Sequence, residues 1–222
     1  MDVLVAGGHG KVALRLLGLL AARGDRARGL IRNPDHAADL ERAGAEPVLF
    51  DLEAGGAPVE QVEGADAVVF AAGAGPGSGP ERKRTVDLGG ALTLIDACRA
   101  AGIDRYVIVS AIGVRNPGEH SGPMEPYLDA KAEADAALRE SGLAYTIVRP
   151  GSLTDEPGSG RVEAAIAPSG IRGEISRDDV AATLLATLDE ARTAGLSFDL
   201  IAGEAPIADA IAGLVSGEPG AG

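Results

Sequence analysis

With 222 residues, 45% of them apolar and only 3% aromatic, the chain is long enough to bury a good core built from Ala, Val, Leu and Ile. That palette suits a parallel sheet covered by helices. A formal net charge of −13 argues against nucleic acid and against an anionic membrane surface, both of which are held by Lys and Arg, but leaves room for a compact anionic ligand bound locally.

The chain opens on an apolar run, Val3–Ala6, which meets a glycine cluster and passes at once into a helical pattern over Lys11–Ala22. Met1 leads straight into this strand, so no signal peptide is expected, and no apolar run approaches the ~20 residues of a membrane span. Further strands are expected at Ala27–Ile31, Pro47–Phe50, Ala67–Ala71, Tyr106–Ser110 and Tyr145–Arg149. Helices are expected over Asp35–Ala43, Arg82–Ala101 and Tyr127–Ser141, the last two ending in Ala-Gly and Ser-Gly, a common helix stop. Repeated strand–helix–strand units predict an α/β fold with a doubly wound parallel sheet (a Rossmann fold) and right-handed crossovers. Two loops, Gly73–Pro80 and Gly113–Pro126, follow the fourth and fifth strands. Ligands sit at such carboxyl ends. Beyond Arg149 the rhythm weakens. Ser176–Asp179 reads as a capping box for a helix to about Leu188, and a strand near Phe198–Ile201 and a short helix near Ile207–Leu214 follow. This part is expected to finish the sheet and wall a small pocket, with residues 1–215 as one domain and 216–222 as a disordered tail. The single Cys98 cannot form an internal disulfide, reads as a core residue, and fits a reducing cytoplasm.

The seam after the first strand reads Gly7-Gly8-His9-Gly10-Lys11-Val12-Ala13, a G-x-x-G-x-x-A spacing between a strand and a helix. In that context Gly7 permits a sharp turn, Gly10 lets the backbone approach a pyrophosphate, and Ala13 lets the helix pack close. The first N–H groups of the helix, at Lys11 and Val12, and its positive dipole end then face an anion. A plain strand-to-helix turn is the alternative. At the end of the second strand, where an acid would bind the ribose 2′-hydroxyl of NAD, the chain has Arg32, whose guanidinium suits the 2′-phosphate of NADP(H). A solvated loop charge is the other reading of Arg32. Asp51 takes the adenine amino group while Leu52 packs on the base, or Asp51 caps a turn. Ala71, Ala72 and Gly73 end the fourth strand with little bulk, as a cofactor lying across the strand ends requires.

Tyr127 and Lys131 stand four residues apart on one helix face. An ammonium beside a phenol lowers its pKa, and such a Tyr can pass a proton to a carbonyl while hydride moves to or from a nicotinamide. Lys131 can also hold the nicotinamide ribose, and Ser110 can hydrogen-bond the same substrate oxygen. A structural Tyr127 packing on the stem of Lys131 is the alternative. His9, His36 and His120 do not read as a metal cluster. His120 reads as a solvated loop histidine, with contact to substrate as the alternative, and Arg177-Asp178-Asp179 as a helix N-terminal turn rather than a metal site.

The stretches GGHGKVA, LIRNP, FDL, TVDLGGALTLIDACRAAGIDRYVIVSAIG, YLDAKAEADAAL and YTIVRPGSLTDEPGSG together resemble the short-chain dehydrogenase/reductase superfamily, in its atypical NAD(P)H-binding branch that shades into nitrogen-metabolite-repressor-like and flavin-reductase-like proteins. The resemblance implies a phosphate loop at Gly7, Gly10 and Ala13, a 2′-phosphate site at Arg32 and an adenine site at Asp51. It implies a catalytic trio of Ser110, Tyr127 and Lys131, and backbone at Pro150-Gly151 approaching the nicotinamide amide. Ala111 stands where many relatives carry a second serine, and the gap from Ser110 to Tyr127 is longer than in the best-known branch. The function expected is an NADPH-dependent reductase or epimerase-like oxidoreductase acting on a small carbonyl substrate, as a monomer or homodimer in the cytoplasm. A non-enzymatic NADP(H) sensor and a flavin- or quinone-reductase-like protein without a Tyr proton donor are the rival readings.

Overall fold

The computed structural model describes residues 1–75 and 77–216. The first half runs β1 (Asp2–Ala6), α1 (Lys11–Ala22), β2 (Arg26–Ile31), α2 (Ala37–Arg42), β3 (Glu46–Leu49), α3 (Val59–Val62) and β4 (Ala67–Phe70). Next come α4 (Pro80–Arg82), a π-helical stretch Lys83–Gly89, α5 (Gly90–Ala101), β5 (Arg105–Val109), α6 (Glu125–Glu140) and β6 (Ala144–Pro150). The chain finishes with β7 (Ser152–Thr154), β8 (Arg161–Ile166), β9 (Glu174–Ser176), α7 (Arg177–Asp189), β10 (Leu196–Ala202), β11 (Ala205–Pro206) and α8 (Ile207–Ser216). Residues 217–222, which make up most of the predicted tail, lie outside the described residues, while Ser216 closes α8.

Several boundaries move for local reasons. The Asn33 side chain accepts the Asp35 N–H at 3.0 Å and Pro34 opens a 3₁₀ turn, so α2 starts at Ala37 rather than Asp35. The helix expected over Arg82–Ala101 is interrupted by the π-helical stretch, which buries Val86, Asp87 and Leu88 in succession. Helix α6 begins two residues before Tyr127, with Pro126 in its first turn. As predicted, Ser176 caps α7 by accepting the Asp179 N–H at 2.9 Å.

The main sheet has nine strands in the order β11-β8-β10-β6-β5-β4-β1-β2-β3. Seven of them, from β10 to β3, are parallel, and β8 runs antiparallel to both β10 and β11. Strands β7 and β9 form a separate two-stranded pair. One face of the sheet is covered by α1, α7 and α8 through Leu16, Leu20, Val180, Leu184 and Ile211. The other is covered by α3, α5 and α6 through Val62, Leu94, Cys98 and Leu138. Each such large apolar side chain contributes roughly 1.5–3 kcal/mol on burial. Cys98 is fully buried, and burial pushes its thiol up to about 12, so it behaves as core. No helix among the described residues is long and apolar enough to cross a membrane.

Strand order reverses direction between β1 and β4, where successive crossovers leave to opposite sides. A crevice opens at such a point, outside the carboxyl ends of the strands.

Candidate functional site

The turn after β1 forms the floor of that crevice. Gly7 sits at φ +77°, and a Cβ there would lie 2.6 Å from the Cα of Ala72, just past β4. No other residue type fits both the dihedral and the space. Gly8 passes so close to β2 that a Cβ would meet the Cα of Gly29 at 2.9 Å. Gly10 donates its N–H to the Gly7 carbonyl at 2.7 Å and then caps α1. Its missing Cβ has a nearer cause than a ligand, since it would stand 3.0 Å from the Gly7 oxygen. Helix α1 has no side-chain cap and no acid in its first turn. The N–H groups of Lys11, Val12 and Ala13 therefore have no intrahelical acceptor and keep the positive dipole end uncompensated. This uncapped start beside a glycine cradle fits a diphosphate.

The crevice consists of two joined cavities, of about 620 and about 1100 Å³, which share Val12, the segment 71–73, Gly75, Leu153 and Arg177. The second is far larger than the small pocket the sequence suggests, because the β7–β9 pair raises a wall opposite α6. The first holds Gly7, Gly8, His9, Gly10 and Lys11 at one side and Arg32, Asp51 and Leu52 at the other. Asp51 also accepts the Glu53 N–H at 2.9 Å, so it does cap a turn, and it does so at the cavity wall. Arg32 is half exposed and pairs with Glu53 at 2.7 Å. The same carboxylate takes the Thr85 hydroxyl at 2.6 Å and lies 3.4 Å from Arg82. Glu53 and Arg82 escape motif reading because neither occupies a glycine-loop or catalytic spacing. His9 stacks on His36 with centroids 3.6 Å apart and bonds Asp39 at 2.6 Å, so its ring belongs to the rim of this cavity.

The larger cavity holds Ser110, Tyr127 and Lys131, with Pro150 and Gly151 on the far side. Lys131 is buried. Its ammonium donates to the Val109 carbonyl at 3.0 Å and lies 3.2 Å from Asp87 Oδ1. It also sits 5.9 Å from the centroid of the Tyr127 ring and 5.8 Å from that of Phe70. Asp87, from the π-helical stretch, accepts the Ala74 N–H at 3.1 Å and so ties the loop after β4 to Lys131. For Lys131, burial pulls the pKa down, but Tyr127, once ionised, and the Asp87 carboxylate outweigh it and hold the ammonium above its ordinary value.

Two expectations need correction here. The Tyr127 phenol is raised, not lowered: its burial outweighs the Lys131 charge, and Asp87 and Asp135 push the same way. Ser110 directs its hydroxyl proton inward to Asp135 Oδ2 at 3.0 Å, where Arg149 also binds at 2.9 Å. Toward the cavity Ser110 therefore offers lone pairs, not a proton. Arg149 further donates to the Val114 carbonyl at 3.2 Å and so anchors the loop after β5. A third correction concerns His120, whose side chain is only 3% exposed. It bonds Asp129 at 2.6 Å and accepts the Arg115 N–H at 2.9 Å, pinning the loop to α6.

Asp155 accepts from Lys11 at 2.5 Å and from Arg177 at 2.9 Å, and Asp178 accepts from Arg15 at 2.5 Å. The cations of α1 and α7 are thus held by carboxylates beside the glycine turn. Arg177, read from sequence only as part of a helix start, lines both cavities.

Comparison with known proteins agrees with this geometry. A family model described as NAD(P)H-binding matches residues 7–191. The chain is 44% identical over 215 residues to the uncharacterized sugar epimerase YhfK of Bacillus subtilis, covering 95% of this chain and 99% of the relative. A solved structure from Bacillus halodurans, described as a candidate NAD-dependent epimerase/dehydratase, superposes with a TM-score of 0.90 at 38% identity, covering 96% of this chain and all of that one. The oxidoreductase ylbE of Lactococcus lactis superposes with a TM-score of 0.85 at 25% identity over the full length of both chains. On the glycine turn at the sheet's switch point and these matches, the chain belongs to the NAD(P)H-binding family, an atypical branch of the short-chain dehydrogenase/reductase-like Rossmann proteins.

Proposed function

We propose that the protein is an NADPH-dependent oxidoreductase, reductase or epimerase-like, that acts on a small carbonyl substrate. The observation that carries this reading is the Tyr127–Lys131 pair, a buried ammonium beside a half-buried phenol on the same crevice that begins at the glycine turn. Hydride exchange with a substrate carbon is the chemistry a nicotinamide supplies when bound. Tyr127, kept protonated by its burial, donates its proton to the substrate oxygen as negative charge gathers there. Lys131 faces the phenolate left behind, and Asp87 with the Val109 carbonyl fixes the ammonium in place. Ser110, its proton committed to Asp135, accepts from a neighbouring substrate hydroxyl.

The choice of NADPH rests on Arg32 and Arg82 flanking one carboxylate, Glu53, at the end of the smaller cavity. A 2′-phosphate there would take over both guanidinium groups. With one buried cysteine, a reducing cytoplasm and a monomeric or homodimeric state complete the proposal.

Tyr127→Phe tests the reading. The expected outcome is a loss of roughly 100-fold or more in carbonyl reduction, with NADPH affinity unchanged. A flavin- or quinone-type acceptor is the second reading, favoured by the size of the cavity beside Tyr127. It predicts little change in rate for the same variant. Intact NADPH binding without turnover of any acceptor would point instead to a sensor.

A further inference from the structure

The chain carries 20 Lys and Arg against 33 Asp and Glu, so carboxylates are in excess, and most of the cations pair with one among the described residues. Arg105, Arg139 and Arg161 make no ion pair among the described residues, but they are satisfied by carbonyls or hydroxyls. Three cations remain, among the described residues, without a carboxylate within ion-pair distance or a side-chain hydrogen bond beyond an adjacent residue: Lys83, Arg115 and Arg172. Arg172 reaches only the carbonyl of Ile171, at 2.9 Å. Two of these three, Lys83 and Arg172, line the larger cavity.

Their positions are fixed by the fold. Lys83 opens the π-helical stretch that also carries Asp87, and its ammonium lies 6.0 Å from the centroid of the Tyr127 ring. Arg172 precedes Gly173, whose carbonyl accepts the Ser152 N–H at 3.0 Å, so the β7–β9 pairing brings it to the cavity wall. The other cations on this cavity are occupied, Lys131 by Asp87 and Arg177 by Asp155. Of the two lining carboxylates, Asp87 is taken by Lys131, and Glu174 leaves the unpaired charge net positive.

We propose that the substrate carries an oxyanion, a carboxylate or a phosphate, held by Lys83 and Arg172 while its carbonyl lies at Tyr127. This deepens the oxidoreductase reading and rests on it. Neutral ketones and neutral sugars are then poor ligands, because the two free cations lose their partner.

The test is calorimetry on protein saturated with NADP⁺, using two matched pairs of probes: pyruvate against methyl pyruvate, and dihydroxyacetone phosphate against dihydroxyacetone. At least one anionic member should bind about tenfold or more tighter than its neutral partner. Which pair shows the advantage distinguishes a carboxylate from a phosphate. The Lys83→Met/Arg172→Met double variant should lose that advantage while its NADP⁺ affinity stays within about twofold of the parent. Equal binding within both pairs, binding of no probe, or discrimination that survives the double variant would overturn the proposal. Failure of NADP⁺ itself to bind is seen in the preceding titration and strikes the cofactor reading. The same pairs and variants titrated into the nucleotide-free protein then decide the anion site by itself.

Discussion

Removing the Lys131 charge offers a quantitative check on the buried centre of the site. The Lys131 and Asp87 side chains are 4% and 1% exposed and lie 3.2 Å apart. Lys131→Met keeps the stem and deletes the ammonium, leaving Asp87 with only the Ala74 N–H at 3.1 Å. Breaking a buried pair from one side costs about 3–5 kcal/mol, because the other charge stays uncompensated. Asp87→Asn should cost a similar amount, since the buried ammonium then has no carboxylate to balance its charge, only neutral acceptors such as the Val109 carbonyl at 3.0 Å. The double variant holds neither charge, so its loss should fall well below the sum, with a coupling of at least about 2 kcal/mol. Urea unfolding at neutral pH measures each step, with an unchanged m-value confirming that stability alone has shifted. In thermal melts each single variant should drop by about 2–4 °C per kcal/mol for a chain of this size. Single losses below about 1 kcal/mol, or a double variant equal to their sum, would refute a mutually dependent buried pair.

Gly7→Ala places a Cβ at positive φ and 2.6 Å from the Ala72 backbone. It should cost about 2–4 kcal/mol in urea unfolding and weaken dinucleotide binding as well. Parental stability in this variant would contradict the close packing of β1 on β4. Arg32→Ala should weaken NADPH markedly more than NADH in fluorescence titrations, and equal losses would remove Arg32 from the 2′-phosphate role. Because burial raises the Tyr127 phenol above its ordinary value of 10, the proton donor stays protonated through neutral pH. Carbonyl reduction should therefore show no alkaline decline attributable to Tyr127 below pH 10. A decline centred near pH 7–8 that disappears in Tyr127→Phe would mean that the Lys131 charge, not burial, sets the phenol.

The amino-terminal half of the fold is legible because β1 (DVLVA) and β4 (AVVF) are short Val-rich runs, and β2 and β3 fall where strand and helix patterns alternate around them. Gly7, Gly8 and Gly10 announce both the turn and the crevice, and Tyr127 and Lys131 announce their shared face by spacing alone. What spacing cannot convey is how burial and partners change a group's chemistry. The phenol rises because Tyr127 is partly desolvated where α6 meets the cavity, and Ser110 commits its hydroxyl proton inward because Asp135 and Arg149, remote in sequence, meet beneath it. His120 sits in a Pro/Gly-rich loop yet is buried, since Asp129 on α6 captures it. Strands β7 and β9 are three residues each, SLT and EIS, and partly exposed, so they lack an apolar run that would mark them, yet the pair brings Gly151, Arg172 and Glu174 to the cavity. Glu53, Arg82 and Asp155 are revealed only by the ion pairs they make.

A structure of the protein with NADPH bound tests the central claim most directly. The diphosphate should rest on the main-chain N–H groups at the start of α1, between the Gly7–Gly10 turn and Val12, with the nicotinamide directed into the cavity that holds Tyr127. A diphosphate bound away from that helix start, or a nicotinamide pointing out of that cavity, would contradict it.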